Sequence, residues 1–163
     1  DNPVVFLEHK WIYRRIKEIV SDDPDQLVPI GKADVKREGT DVSVITHGMM
    51  VHLALEAAET LATEGIAVEV LDLRTVQPLD EEAILGTVTR TSRAIVLSES
   101  QRYLSTAAEV ASLIAEEAFE SLDAPVVRLT PPHVPVPFSP PLEDAYLPQV
   151  SDIEDAVRKL SAW

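Results

Sequence analysis

The side chains best suited to chemistry lie where apolar runs stop. Residues 68–82, VEVLDLRTVQPLDEE, pass from strand-like sequence into Asp72, Arg74 and Thr75, then Pro78, then an acid-rich helix start at Asp80. Arg74 and Thr75 end the strand, and Pro78 blocks further ladder pairing. Asp80 caps the next helix, where its charge suits the helix dipole. Arg74 is left to reach a carboxylate elsewhere or in a neighbouring subunit, and nothing local makes it catalytic. His47 ends another apolar run and has the chemistry of a general acid or base. It has no acidic orienter evident in the sequence, which favours a packing or hydrogen-bonding role. His52 does not share a metal-ligand face with it, and His9 and His133 lack ligand spacing. Ser98 has no flanking glycines to form a nucleophile elbow. The five glycines are unpaired, so no dinucleotide or phosphate-loop signature exists. Glu81-Glu82 and Glu116-Glu117 are adjacent pairs, which diverge on a helix and read as solvated surface. With no cysteine, thiolate catalysis, disulfides and Cys-ligated zinc are excluded. These residues alone define no active site.

The elements that position them alternate regularly. DVSVITH (41–47) has the β-branched content of a strand. A helix follows Gly48, with Val51, Ala54, Leu55, Ala58, Leu61 and Ala62 on one face, closed by Gly65. AVEVLDL (67–73) is a second strand, DEEAILGTVTR (80–90) a helix, and RAIVLSE (93–99) a third strand. Thr106 and Glu109 suggest a capping box before the helix bearing Val110, Leu113, Ile114 and Ala118. PVVRL (125–129) is a fourth strand. TPPHVPVPFSPP (130–141) holds six prolines in twelve residues and is expected to be extended. Ser151 and Glu154 suggest a second capping box, opening the last helix. Near-continuous apolar strands alternating with helices predict a parallel, doubly wound α/β sheet with helices on both faces. Upstream, PVVFL (3–7) reads as a short buried strand, the last of something preceding it. Residues 1–37 read as a connecting arm, and the abrupt opening at Asp1 suggests that a longer polypeptide continues upstream.

At 163 residues and 45% hydrophobic, the chain suits one domain with some extra chain attached. No apolar run is long enough to span a membrane, and no signal-peptide pattern is visible. A cytosolic, or mitochondrial matrix, setting fits. The formal net charge is −14. Such a surface disfavours nucleic acid and anionic membrane and favours a basic protein partner, or simply maintains solubility.

FLEHKWIYR, IGKADVKREGTDVSVIT, HGMMVHLALEAAE, EVLDLRTVQPLDEEAI and LDAPVVRLTPPHVPVPF follow one another in family order and spacing. They resemble the C-terminal half of the beta subunit of thiamine-diphosphate-dependent 2-oxo acid dehydrogenases, whose members act on pyruvate, branched-chain 2-oxo acids or acetoin. The resemblance implies a mostly parallel five-stranded sheet with one antiparallel edge strand. Residues 1–37 would be the tail of an upstream pyrimidine-binding domain plus linker, and residues 38–163 a transketolase C-terminal-type domain. Thiamine diphosphate and magnesium would belong to the intact enzyme, lying between that upstream domain and the alpha subunit. This chain alone would hold no cofactor and no catalytic residue. Its implied partners are its own upstream domain, the alpha subunit, a second beta subunit, and the basic subunit-binding domain of the lipoyl acyltransferase. Asp123 matches the acid of an L-[DE]-A-P motif and, with the terminal carboxylate of Trp163, would face that last partner. Arg74, Pro78 and Asp80 become possible subunit-interface residues. The chain departs from the family at Leu104-Ser105, where glycines are usual, and at His47, where tyrosine or tryptophan is usual. Two other readings remain: a standalone α/β interaction or ligand-binding module, and a transketolase or deoxyxylulose phosphate synthase C-terminal domain. The lack of a basic, glycine-lined phosphate site and the presence of LDAPVVR argue against the latter.

Overall fold

A computed structural model describes every residue except Asp1, Glu18, Val20, Pro24 and Gln26. Its five strands are β1 (Asp34–Arg37), β2 (Val42–Thr46), β3 (Val68–Asp72), β4 (Ala94–Leu97) and β5 (Val127–Leu129). Five helices accompany them: α1 (Met49–Thr63), α2 (Glu81–Thr91), α3 (Thr106–Glu117), α4 (Pro140–Tyr146) and α5 (Val150–Ser161). The sheet order is β1-β3-β2-β4-β5; β1 runs antiparallel to β3 and every other pairing is parallel.

The apolar character of the inner strands follows from this order. β2 and β4 are buried along their whole length because both sheet faces are covered. On one face Val42, Val44, Val68, Val70, Ile95 and Leu97 pack with residues of α1 and α5, including Ala54, Leu61 and Val157. On the other, Ile45, Leu71, Leu73 and Val96 meet Ile84 and Val88 of α2 and Val110 and Ile114 of α3. Each fully buried Val, Leu or Ile contributes about 1.5–3 kcal/mol. The lower end of this second face is polar. Ser43 and Glu69 are neighbours in register, both buried. The Ser43 hydroxyl lies 2.6 Å from that of Thr91, while Glu69 pairs with the half-exposed Arg90.

Several expectations are corrected. Residues 3–7 form no strand: Val5, Phe6 and Leu7 are 80–85% exposed, because no neighbouring strand among the described residues is there to pair with them. The edge strand β1 uses residues 34–37, the end of the stretch read as arm. Helix α3 has Ser105, not Thr106, at its N-cap, with no side-chain capping bond. Helix α5 is boxed by Gln149 and Asp152 instead of Ser151 and Glu154, so the true box lies two residues earlier. The proline segment stays irregular through Ser139, but Pro140 and Pro141 open α4. A proline lacking its N–H loses nothing in a first helical turn.

Gly39 explains how the edge strand turns into β2. A Cβ there would sit 2.3 Å from the backbone nitrogen of Glu69 and from the carbonyl carbon of Val68. Only a residue without a side chain admits that approach.

Candidate functional site at the two ends of the sheet

In a doubly wound sheet the ligand crevice opens beyond the carboxyl ends of the strands, where the winding direction reverses. Here the reversal falls between β2 and β4. Their ends carry His47-Gly48 and Ser98-Glu99, with Asp72 closing the neighbouring β3. His47 is therefore not solitary, as the sequence suggested. Burial holds its pKa below the ordinary value of 6.5, and the carboxylates of Glu99 and Asp72 oppose that shift. Those acids come from two other strand ends, which explains why no local pattern announced them.

The crevice also receives part of the arm. His9 Nε2 lies 3.0 Å from Glu99 Oε2, and the Trp11 N–H donates to His9 Nδ1 at 3.3 Å. Gly48 lies beside this pair at φ 64°, a backbone conformation that favours glycine, although a Cβ there would make only ordinary contacts, 3.8 Å from Glu99 Oε1 and 4.0 Å from the His9 ring. No local pattern announced the His9–Glu99 pairing, since the partners are 90 residues apart. Among the described residues no group of three or more His, Asp or Glu side chains is arranged to hold a metal. A diphosphate does not fit here either, because Glu99 and Asp72 present negative charge where backbone or cationic donors are needed.

The Arg74–Asp80 loop proves to be a fastening. Arg74, at φ 54°, donates through its backbone N–H to Asp72 Oδ1 at 3.1 Å and through Nη2 to Asp34 Oδ2 at 2.7 Å. Thr75 Oγ1 accepts from the Gly31 N–H at 3.0 Å. Asp80 does two jobs. Its Oδ1 accepts from Ala83 N–H at 3.3 Å, capping α2 as expected, and its Oδ2 accepts from Ala33 N–H at 3.0 Å. Lys32 Nζ stands 3.6 Å away. Burial pushes the Asp80 carboxyl up, but the two N–H donors and Lys32 outweigh it, leaving the pKa below 3.8. Arg74 and Asp80 thus hold β1 and its lead-in to the sheet, while Pro78 lies exposed on the loop.

The opposite, amino-terminal end of the sheet is looser. The Asp123 N–H donates to Ser92 O at 2.9 Å just before β4. Its side chain is exposed, with Arg93 Nη1 at 3.7 Å as an ion-pair partner. The next residue, Ala124, is buried beside α5 and anchors the loop. Trp163 follows α5 and is 69% exposed. That helix end is tied to the end of α1 by Arg158, which donates to Glu64 at 2.7 and 2.9 Å. Asp123 and Trp163 therefore share one end of the domain.

At the carboxyl end, the turn lacking glycines keeps Leu104 at φ 50° and fully exposed. With Tyr103, Val134 and Val136 it borders an open groove that also includes Ser105 and Tyr146. Tyr103 meets His133 edge-on at 4.9 Å. The departure from glycine thus yields an apolar rim that the sequence did not reveal.

These features define a doubly wound α/β domain in which the arm reaches one strand end through His9 and Glu99, while the Asp123 carboxylate stays exposed at the other end. The family described as "Transketolase, C-terminal domain" matches residues 31–153, and the chain belongs to that family. It is 46% identical over 164 residues to the 2-oxoisovalerate dehydrogenase subunit beta of Bacillus subtilis (strain 168), covering 100% of this chain and 50% of that protein. Against the pyruvate dehydrogenase E1 component subunit beta of the same organism it is 46% identical, covering 98% and 49%. The beta subunit of an acetoin:2,6-dichlorophenolindophenol oxidoreductase from Cupriavidus necator is 44% identical, with 98% and 46% covered. A solved "split gene transketolase, inactive beta4 tetramer" superimposes with a TM-score of 0.75 at 30% identity, over 90% of this chain and 46% of that one. The chain thus spans about half the length of the relatives it matches, corresponding to their C-terminal domain.

Proposed function

We propose that this domain works within the beta subunit of a thiamine-diphosphate-dependent 2-oxo acid dehydrogenase, where it serves assembly and docking and performs no chemistry itself. The observation that carries the reading is the match to beta subunits along essentially the whole chain. The intact enzyme would decarboxylate a 2-oxo acid, or act on acetoin, and transfer the product to a lipoyl group. Thiamine diphosphate and magnesium would be held outside this domain, in keeping with carboxylates at its strand ends. The bare apolar residues 4–7 suit packing against an upstream domain, and a second beta subunit and an alpha subunit complete the assembly. Pro78 and the exposed Val76 are proposed interface positions on the Arg74–Asp80 loop. A cytoplasmic or mitochondrial matrix location accompanies this reading.

Asp123 and Trp163 are the proposed contacts for the basic subunit-binding domain of the lipoyl acyltransferase. Asp123 has an exposed carboxylate suited to a bidentate arginine, and the net charge of −14 favours a basic partner. Titration calorimetry of the intact protein with that subunit-binding domain tests the docking role. Binding is expected to weaken with salt, and Asp123→Ala to weaken it by about fivefold or more. A folded protein that ignores the partner at low salt, or an Asp123→Ala variant with unchanged affinity, would remove Asp123 from the docking surface.

A further inference from the structure

We propose that His9 and Ile12 form a plug for the crevice between β2 and β4, locked by the His9–Glu99 hydrogen bond, so that the occupant of the ligand position is the chain itself. Three independent features converge there. The first is position, since His9 meets Glu99 beyond the carboxyl end of β4, where the winding reverses. The second is geometry on both sides of the imidazole. Nδ1 accepts the Trp11 N–H, so Nε2 carries the ring proton and donates it to Glu99. His9 is thereby fixed in one tautomer by its own backbone and aimed by it at the domain. The third is packing, because Ile12 lies against the core cluster beneath α1 and α5.

A short turn stiffens the plug. The N–H groups of Ile12 and Tyr13 donate to the carbonyls of His9 and Lys10, and those of Arg15 and Ile16 to Ile12. The Arg15 guanidinium covers the Trp11 ring at 4.0 Å. His9 and Glu99 each keep only 30% of their side-chain surface exposed, which limits competition from water. The plug thereby sets the direction from which the chain before residue 8 approaches the domain.

Hydrogen exchange on the intact protein tests this, read at the amides of Ile12, Tyr13, Arg15 and Ile16. Glu99→Ala and His9→Ala are each expected to accelerate exchange there by about fivefold or more, with β2 and α1 unchanged. Glu99→Gln retains an acceptor for the Nε2 proton and is expected to stay within about twofold of the parent. His9 lies outside the core clusters, so its variant reports on the arm even if Glu99→Ala folds poorly. Unchanged exchange in His9→Ala would overturn the proposal, as would loss of protection throughout β2 in that variant. A Glu99→Gln protein as loose as His9→Ala would show an ion pair, overturning the neutral-donor lock.

Discussion

Asp80 and Asp123 occupy loops at opposite ends of the sheet, and the same side chain serves opposite purposes. Asp80 is 6% exposed, accepts two backbone N–H groups from separate segments, and has Lys32 beside it. Asp123 is exposed and, among the described residues, its carboxylate has only a long ion pair with Arg93. One carboxylate is consumed in closing the fold, and the other remains available to a partner. The Arg74–Asp80 loop looked more chemical in the sequence than the LDAP loop. Yet side chains that satisfy their own backbone have little capacity left for anything else.

The largest expected effect breaks the buried side of this comparison. Asp80→Ala removes a helix cap and leaves the Ala33 N–H without its acceptor, a combined loss of about 2–4 kcal/mol. Urea unfolding should show a lower midpoint at unchanged slope. A loss below about 1 kcal/mol would mean that Asp80 is no more structural than an exposed acid. A smaller effect concerns His47, in the crevice at the same end. Its folded pKa is depressed below 6.5, so the unfolded chain binds the proton first and stability falls as pH drops through that value. The slope is at most about 1.4 kcal/mol per pH unit for one proton. His47→Gln should flatten this part of the stability profile, and a parent profile already flat between pH 7 and 5 would refute the assignment. The smallest effect sharpens the exposed side. Asp123→Ala should change stability by less than about 0.5 kcal/mol in the same urea experiment. A larger loss would make Asp123 a second Asp80.

Much of the fold was legible because burial on two faces writes long apolar runs, as in VSVIT and AIVL. The Asp80 cap was legible because a helix start is a local event. So was the close of α1 at Gly65, where φ is 85°. The strand DVKR was not legible from its own residues: it is a charged edge, and its identity comes from pairing with β3. The caps of α3 and α5 were misplaced because several adjacent Ser, Thr, Gln and acidic residues can all serve, and tertiary packing selects among them. The exposed LDAP acid was singled out only through resemblance, since one acid in a loop has no pattern. His9 and Glu99 required the fold itself, because only the winding of the sheet brings them together.

The bare run at residues 4–7 also bears on how this domain behaves at high concentration whenever no upstream domain covers it. An exposed stretch of Val, Val, Phe and Leu can pair edge to edge between molecules. Pro3 and Glu8 bracket it as gatekeepers, and the charge of −14 holds neighbours apart. Raising ionic strength from 0.1 to 1 M shortens the screening length from about 10 to about 3 Å. Colloidal stability then passes from the repulsion of the whole surface to those two flanking residues.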